Sequence, residues 1–205
     1  MINRLDLKGI VLHVGHGKTG SSYLQSFLAI NRKKLLEVGI DYPEHDSFIF
    51  AKKGDITSGN GEILINNYLN LESITKKKYI LFSGEELFSK LIQSNWFKTF
   101  AKEYSQKLRV IIYTRNLFAY SFSMWGQAVK RSNEILDLDS YFQNTNYISP
   151  YKILLEWIQL ESELNFKLII RNYSNHKENL IDTFCKDAFD IPKKNINLNL
   201  LDQKQ

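Results

Sequence analysis

Four short apolar runs constrain what this chain can fold into. "IVLHV" (Ile10 to Val14), "YILFS" (Tyr79 to Ser83), "RVIIYT" (Arg109 to Thr114) and "KLIIRN" (Lys167 to Asn172) are rich in β-branched and aromatic residues and read as strands. None alternates cleanly between apolar and polar positions, which is the pattern of strands covered on both faces of a parallel sheet. Helical patterns lie between them. Leu24, Phe27, Leu28, Leu35 and Val38 share a face that Gly39 closes, and Phe118, Phe122, Trp125 and Val129 form a second stripe. Ser149 and Pro150 offer an N-cap and first-turn pair before "YKILLEWIQL", and "HKENLIDTFCKDAF" is apolar at Leu180, Ile181, Phe184, Cys185 and Ala188. Trp125 and Trp157 sit on such stripes and are expected in the core. Strands alternating with helices predict an α/β three-layer sandwich around a central, mostly parallel sheet of about four to five strands.

A chain of 205 residues with 43% hydrophobic content has enough apolar material for one core, so a single domain over residues 1–205 is the simplest organisation. Lys and Arg outnumber Asp and Glu by 27 to 22, a mild excess that suits an anionic ligand. The positive charges are scattered and no basic helix with interleaved aromatics is present, which argues against a nucleic-acid partner. Cys185 is the only cysteine, excluding an intramolecular disulfide or a cysteine-based zinc cluster, and its place beside Ile181 and Phe184 predicts a core residue. The N-terminal apolar run, Ile10 to Leu12 plus Val14, is too short for a signal peptide or membrane span, so a cytoplasmic location is the default expectation. "AKKGDITSGNG" (Ala51 to Gly61) reads as a long, mobile flap, and Lys76 to Lys78 as a solvated turn.

The first strand runs into "GHGKTGSS". In open α/β sheets ligands gather at the carboxyl ends of strands, where helix N-termini present free N–H groups. Gly15 and Gly17 permit a sharp turn, Lys18 adds a point charge, and Thr19, Gly20, Ser21 and Ser22 bring hydroxyls and amides to the helix start. All of these groups favour an oxyanion. A tight structural turn with an N-capping hydroxyl is the competing reading. The strict nucleoside-triphosphate loop, GxxxxGK followed by Ser or Thr, fails because Leu12 stands where its first glycine belongs.

The run His13 to Pro43, "HVGHGKTGSSYLQSFLAINRKKLLEVGIDYP", resembles the N-terminal signature of sulfotransferases that use 3′-phosphoadenosine 5′-phosphosulfate (PAPS), especially the bacterial and carbohydrate-directed branch. The shared features are the strand, the Lys-Thr-Gly-Ser-Ser run, the helix with Leu-Gln, the Asn-Arg pair and a Gly before Tyr-Pro. The resemblance implies a P-loop NTPase-like fold, a loop in which Gly17, Lys18, Thr19, Gly20, Ser21 and Ser22 grip the 5′-phosphosulfate, and no metal. It also implies a 3′-phosphate site made of an Arg ending a strand and a Ser eight residues on, which "YTRNLFAYSFSMW" supplies as Arg115 and Ser123, with Ser121 as competitor.

Sulfuryl transfer needs charge neutralised on the leaving oxygen and a proton taken from the acceptor. Lys18 suits the first task. "SGEE" after the second predicted strand is similar to a Ser-Ser-Glu segment of the bacterial enzymes, which makes Glu85 the candidate base, with Glu86 and His16 as rivals. His13, inside an apolar strand, reads as a core residue. "LIIRNYSN" is similar to a late strand of the same enzymes, where Arg171 either lines the site or pairs structurally, whereas an Arg-Lys-Gly segment of the cytosolic small-molecule enzymes is absent. The leading expectation is a PAPS-dependent sulfotransferase acting on a hydroxyl or amine acceptor, a glycan by the resemblance. The alternatives are a nucleotide kinase or NTPase of the P-loop fold, and a nucleotide-binding relative without catalysis.

Overall fold

The computed structural model describes residues 7–75, 77–132, 136–144 and 149–190. Lys76, the Ser149 side chain offered as a cap, and the tail "NLNLLDQKQ" lie outside the described residues. The strands are β1 (Gly9–Val14), β2 (Ile40–Asp41), β3 (Tyr79–Gly84), β4 (Leu108–Thr114) and β5 (Lys167–Asn172). The helices are α1 (Ser21–Glu37), α2 (Phe48–Lys52), α3 (Gly61–Asn67), α4 (Leu71–Ile74), α5 (Leu87–Lys90), α6 (Asn95–Glu103), α7 (Leu117–Ser132), α8 (Leu138–Asn144), α9 (Ser149–Leu164), α10 (Tyr173–His176) and α11 (Leu180–Phe189). A single 3-10 turn, Lys177–Asn179, joins the last two.

The five strands form one all-parallel sheet in the order β2-β3-β1-β4-β5. β1 is central: Gly9 pairs with Tyr79 on one side and Ile10 with Leu108 on the other. Its two faces have separate cores. Ile10, Leu12, Val14, Ile80, Phe82, Val110 and Ile112 pack with Phe97 and Phe100 of α6 and Trp157 and Leu160 of α9. Val11, Leu81, Ile111 and Tyr113 pack with Leu24, Phe27 and Leu28 of α1 and Phe184 and Cys185 of α11. Both faces of each inner strand are therefore buried, which is why the apolar runs do not alternate; each such side chain contributes roughly 1.5–3 kcal/mol.

Gly39, with φ of +88°, ends the α1 segment as expected. The following β2 is only two residues long and carries no strand pattern of its own; it exists because Ile40 and Asp41 fall alongside Tyr79 and Ile80. Arg32 fastens this edge to α1, its Nε donating to the Tyr42 carbonyl at 2.9 Å while its guanidinium pairs with Asp41 and Glu44.

Two expectations fail. The Ala51 to Gly61 stretch is not a free flap: α2 takes its first residues and its far end is clamped to the sheet. Gly59 bridges to Gly84, and the buried Asn60 side chain accepts from the Ser83 amide at 2.7 Å and donates to the Pro43 and Leu81 carbonyls. Gly59 admits no side chain, since a Cβ there would lie 2.0 Å from the Ser83 carbonyl oxygen. The second failure is the α7 stripe, which faces solvent: Phe118 is 78% exposed, Phe122 59% and Val129 39%. Trp125 is half-buried, its indole donating to the Leu136 carbonyl, whereas Trp157 is fully buried and donates to the Phe88 carbonyl. Among the described residues no helix is long and apolar enough to cross a membrane.

Candidate functional site

The adjacent strands β3, β1 and β4 end side by side at Gly84, Val14 and Thr114, so the loops that follow share one sheet edge. The central loop makes an unusual turn. Gly17, Lys18 and Gly20 all have positive φ, at 79°, 57° and 79°. For Lys18 this is a left-handed conformation that costs roughly 1–3 kcal/mol and accumulates at ligand-binding sites. Gly20 is required twice over, because a Cβ there would meet Leu180 at 2.8 Å and the Tyr173 ring at 2.9 Å. α1 then begins with no side-chain cap and no acidic residue in its first turn, leaving the positive end of a seventeen-residue helix uncompensated.

The loop also buries polar groups that have no protein partner. Thr19 Oγ1 and Ser21 Oγ are inaccessible and unbonded, and the half-buried Ser22 follows at the helix start. An unsatisfied buried hydroxyl costs roughly 1–3 kcal/mol, so an arrangement of this kind fits a ligand that completes the bonds. His16 is buried too, boxed edge-on by Phe88, Tyr120 and Tyr151 with ring centroids 5.4, 4.9 and 5.3 Å away. Burial lowers its pKa to about 4, with the Gly17 backbone opposing, so the ring is neutral at ordinary pH. The strand residue His13 is a core histidine, its Nδ1 within 2.8 Å of Ser83 Oγ.

Arg115, directly after β4, has a buried Nε without a partner and sets its guanidinium 5.2 Å from the centre of the Tyr173 ring. Tyr173 thereby touches both the loop, at Gly20, and Arg115. The Arg115 carbonyl accepts from the Tyr151 hydroxyl at 2.7 Å, which joins this strand end to the box around His16. Of the two serines downstream, Ser121 is fully buried and donates to the Leu117 carbonyl within its own helix, whereas Ser123 is half-buried. Lys18, Arg115 and Ser123 line one open cleft of about 520 Å³, together with Phe122, Gln127 and Lys130.

The two carboxylates of "SGEE" part company. Glu85 is exposed and packs against the loop: a Cβ on Gly15 would sit 2.9 Å from both Glu85 Cγ and Ser21 Oγ. Glu86 turns the opposite way, against Gly61 and Gly84, with Oε1 buried and unpaired; burial raises its pKa. Glu85 stands outside the lining of the Arg115 cleft, on the other side of the central loop. Arg171 is structural, making paired bonds of 2.9 and 2.7 Å to the buried Asp187 carboxylate. Leu12 is fully buried in mid-strand between Phe82 and Val110, so the backbone where a nucleoside-triphosphate loop would begin is still sheet. Among the described residues no cluster of His, Cys, Asp or Glu is placed to hold a metal ion.

Sequence reasoning did not anticipate the Tyr173 bridge, the aromatic box around His16 or the Asn60 clamp. The Arg-x-Tyr spacing at Arg171 and Tyr173 signals the first. The other two join residues far apart in the chain and have no local signature.

No family model matches this chain, and no curated protein matches it. Among solved structures it is similar to a sulfotransferase from Alicyclobacillus acidocaldarius, with a TM-score of 0.50 and 11% sequence identity over 94% of this chain and 86% of that one. At that identity the likeness is one of fold: a parallel α/β sheet flanked by helices.

Proposed function

We propose that this chain is a sulfotransferase that moves a sulfuryl group from PAPS to a hydroxyl or amine acceptor, a glycan in the reading carried by its N-terminal signature. The observation that carries the proposal is the cleft that gathers Lys18, Arg115 and Ser123 beside a loop with two buried, unbonded hydroxyls. One part suits the phosphosulfate and the other a second phosphate, as a nucleotide with two anionic ends requires.

The donor supplies an activated sulfur whose bond to the phosphate oxygen breaks as the bond from the acceptor oxygen forms. Thr19, Ser21 and the amides at the start of α1 bind the phosphosulfate end, and Lys18 offsets the charge that develops on the departing oxygen. Glu85 takes the acceptor proton. It is exposed at the sheet edge where an acceptor can reach it, whereas Glu86 faces inward and His16 is enclosed by rings with a depressed pKa. The product nucleotide, 3′-phosphoadenosine 5′-phosphate, then leaves. The fold shared with a sulfotransferase at 11% identity is compatible with this chemistry.

Isothermal titration with that bisphosphate, with and without magnesium and beside ATP, tests the proposal. Metal-independent binding that is lost in Lys18→Ala is expected. Preference for magnesium-ATP, or no binding of the bisphosphate, overturns it. Glu85→Gln is expected to keep nucleotide affinity while lowering kcat by about 10²–10⁴ on an accepted substrate.

A further inference from the structure

The cleft continues past the two residues that its proposed anchor needs. Ala119, Ser123, Gly126, Gln127 and Lys130 all line it, at the three- and four-residue spacing that places them on one face of α7. Small side chains form the near part of that face, and the position of a Cβ on Gly126 has no atom within 4 Å, so the groove is open along the helix. Lys130 stands two turns beyond Ser123, roughly 10 Å along the axis. Helical side chains lean toward the helix N-terminus, which is the direction in which Ser123 and Arg115 lie from Lys130. No acidic side chain is among the described residues that line the cleft. Lys18 stands at the loop, Arg115 at the strand end, and Lys130 on the α7 face that carries Ser123.

We infer that Lys130 is a second cation for the 3′-phosphate, completing with Arg115 and Ser123 a site that selects nucleotides carrying that group. The inference rests on the donor proposed above and deepens it. Phosphate at the 3′ position carries close to two negative charges, and one guanidinium with one hydroxyl leaves it undercompensated; a second cation further along α7 offsets the remainder. Selectivity follows from the same arrangement. A nucleotide lacking the 3′-phosphate leaves Lys130 in water, where it neither gains nor loses.

The test titrates 3′-phosphoadenosine 5′-phosphate and adenosine 5′-phosphate into the wild type, Lys130→Ala, Lys130→Arg and, as an unrelated exposed lysine, Lys102→Ala. In Lys130→Ala the bisphosphate is expected to weaken by about five- to tenfold, a change of a size that one charge-assisted contact supports. Adenosine 5′-phosphate should stay within about twofold, Lys130→Arg should recover most of the loss, and the salt dependence of bisphosphate binding should become shallower in Lys130→Ala. Equal bisphosphate affinity in wild type and Lys130→Ala, or equal weakening of both nucleotides, overturns the inference and leaves the donor proposal standing. A wild type that binds neither nucleotide overturns the donor proposal, and this inference falls with it.

Discussion

The segments that leave β1 and β4 start in the same way and end differently. Each passes from the tip of an inner strand, through a short turn carrying a cation, into a helix of about four turns. α1 lays Leu24, Phe27, Leu28 and Leu35 into the core, and the turn before it buries its own polar atoms. α7 carries an apolar stripe just as regular, yet leaves Phe118, Phe122 and Val129 in solvent. Helical periodicity shows that a face exists and says nothing about what covers it. α1 lies directly over the sheet, whereas α7 borders an open cleft.

The sharpest way to break this contrast is to truncate one phenylalanine in each helix. Phe27→Ala is expected to cost about 3–5 kcal/mol, and Phe122→Ala under about 0.5 kcal/mol, by chemical denaturation. Comparable losses would mean that the α7 stripe is buried after all.

The second prediction concerns His16, at the turn of the first segment. Its pKa is about 4 in the folded protein against 6.5 in the unfolded chain, so stability is full above 6.5 and falls as pH drops toward 4. The slope from this residue approaches about 1.4 kcal/mol per pH unit below 6.5. His16→Phe keeps the aromatic packing and removes the titration, so its melting temperature should vary less between pH 7 and about pH 4.5 than that of the wild type. An unchanged pH profile would assign the acid sensitivity elsewhere, His13 being the other buried histidine with a pKa near 4.

Thr19→Val separates binding from folding at the same turn. Removing an unbonded buried hydroxyl at nearly constant volume should stabilise the free protein by about 1 kcal/mol while weakening the bisphosphate by roughly five- to tenfold. Changes of the same sign in both would show that the hydroxyl serves the fold. The smallest expected effect belongs to the second segment: Ser123→Ala should weaken the bisphosphate by about threefold with no change in melting temperature, and Ser121→Ala should leave affinity untouched.

Much of this architecture is legible in the sequence because the inner strands are covered on both faces. Continuous apolar runs located β1, β3, β4 and β5 to within a residue, although the edge strand β5 is not covered on both faces as expected, since none of its residues is fully buried and Ile170 is 37% exposed; Gly39 marked the end of α1. β2 was not legible, because two residues have no periodicity and owe their pairing to Tyr79 and Ile80. At the candidate site, the spacing of Arg115 and Ser123 anticipated two residues that line a single cleft with Lys18, while the different surroundings of Glu85 and Glu86 depend on which way each side chain leaves a tight turn. The expected flap failed for the same kind of reason: the Asn60 clamp depends on carbonyls at Pro43 and Leu81 that are distant in the chain.

The central position of β1 also sets the order in which this protein can be built. Its partners on either side begin at Tyr79 and Leu108, and its His13 finds Ser83 seventy positions later. During synthesis the first apolar strand leaves the ribosome long before either neighbour exists, at about 5–20 residues per second. For several seconds "IVLHV" is an unpaired, aggregation-prone edge, and it has a neighbour on each side only when the middle third of the chain has been translated. Slowing translation between Val38 and Tyr79 should therefore lower the soluble yield more than slowing it after Thr114, by which point β3 and β4 can flank the first strand.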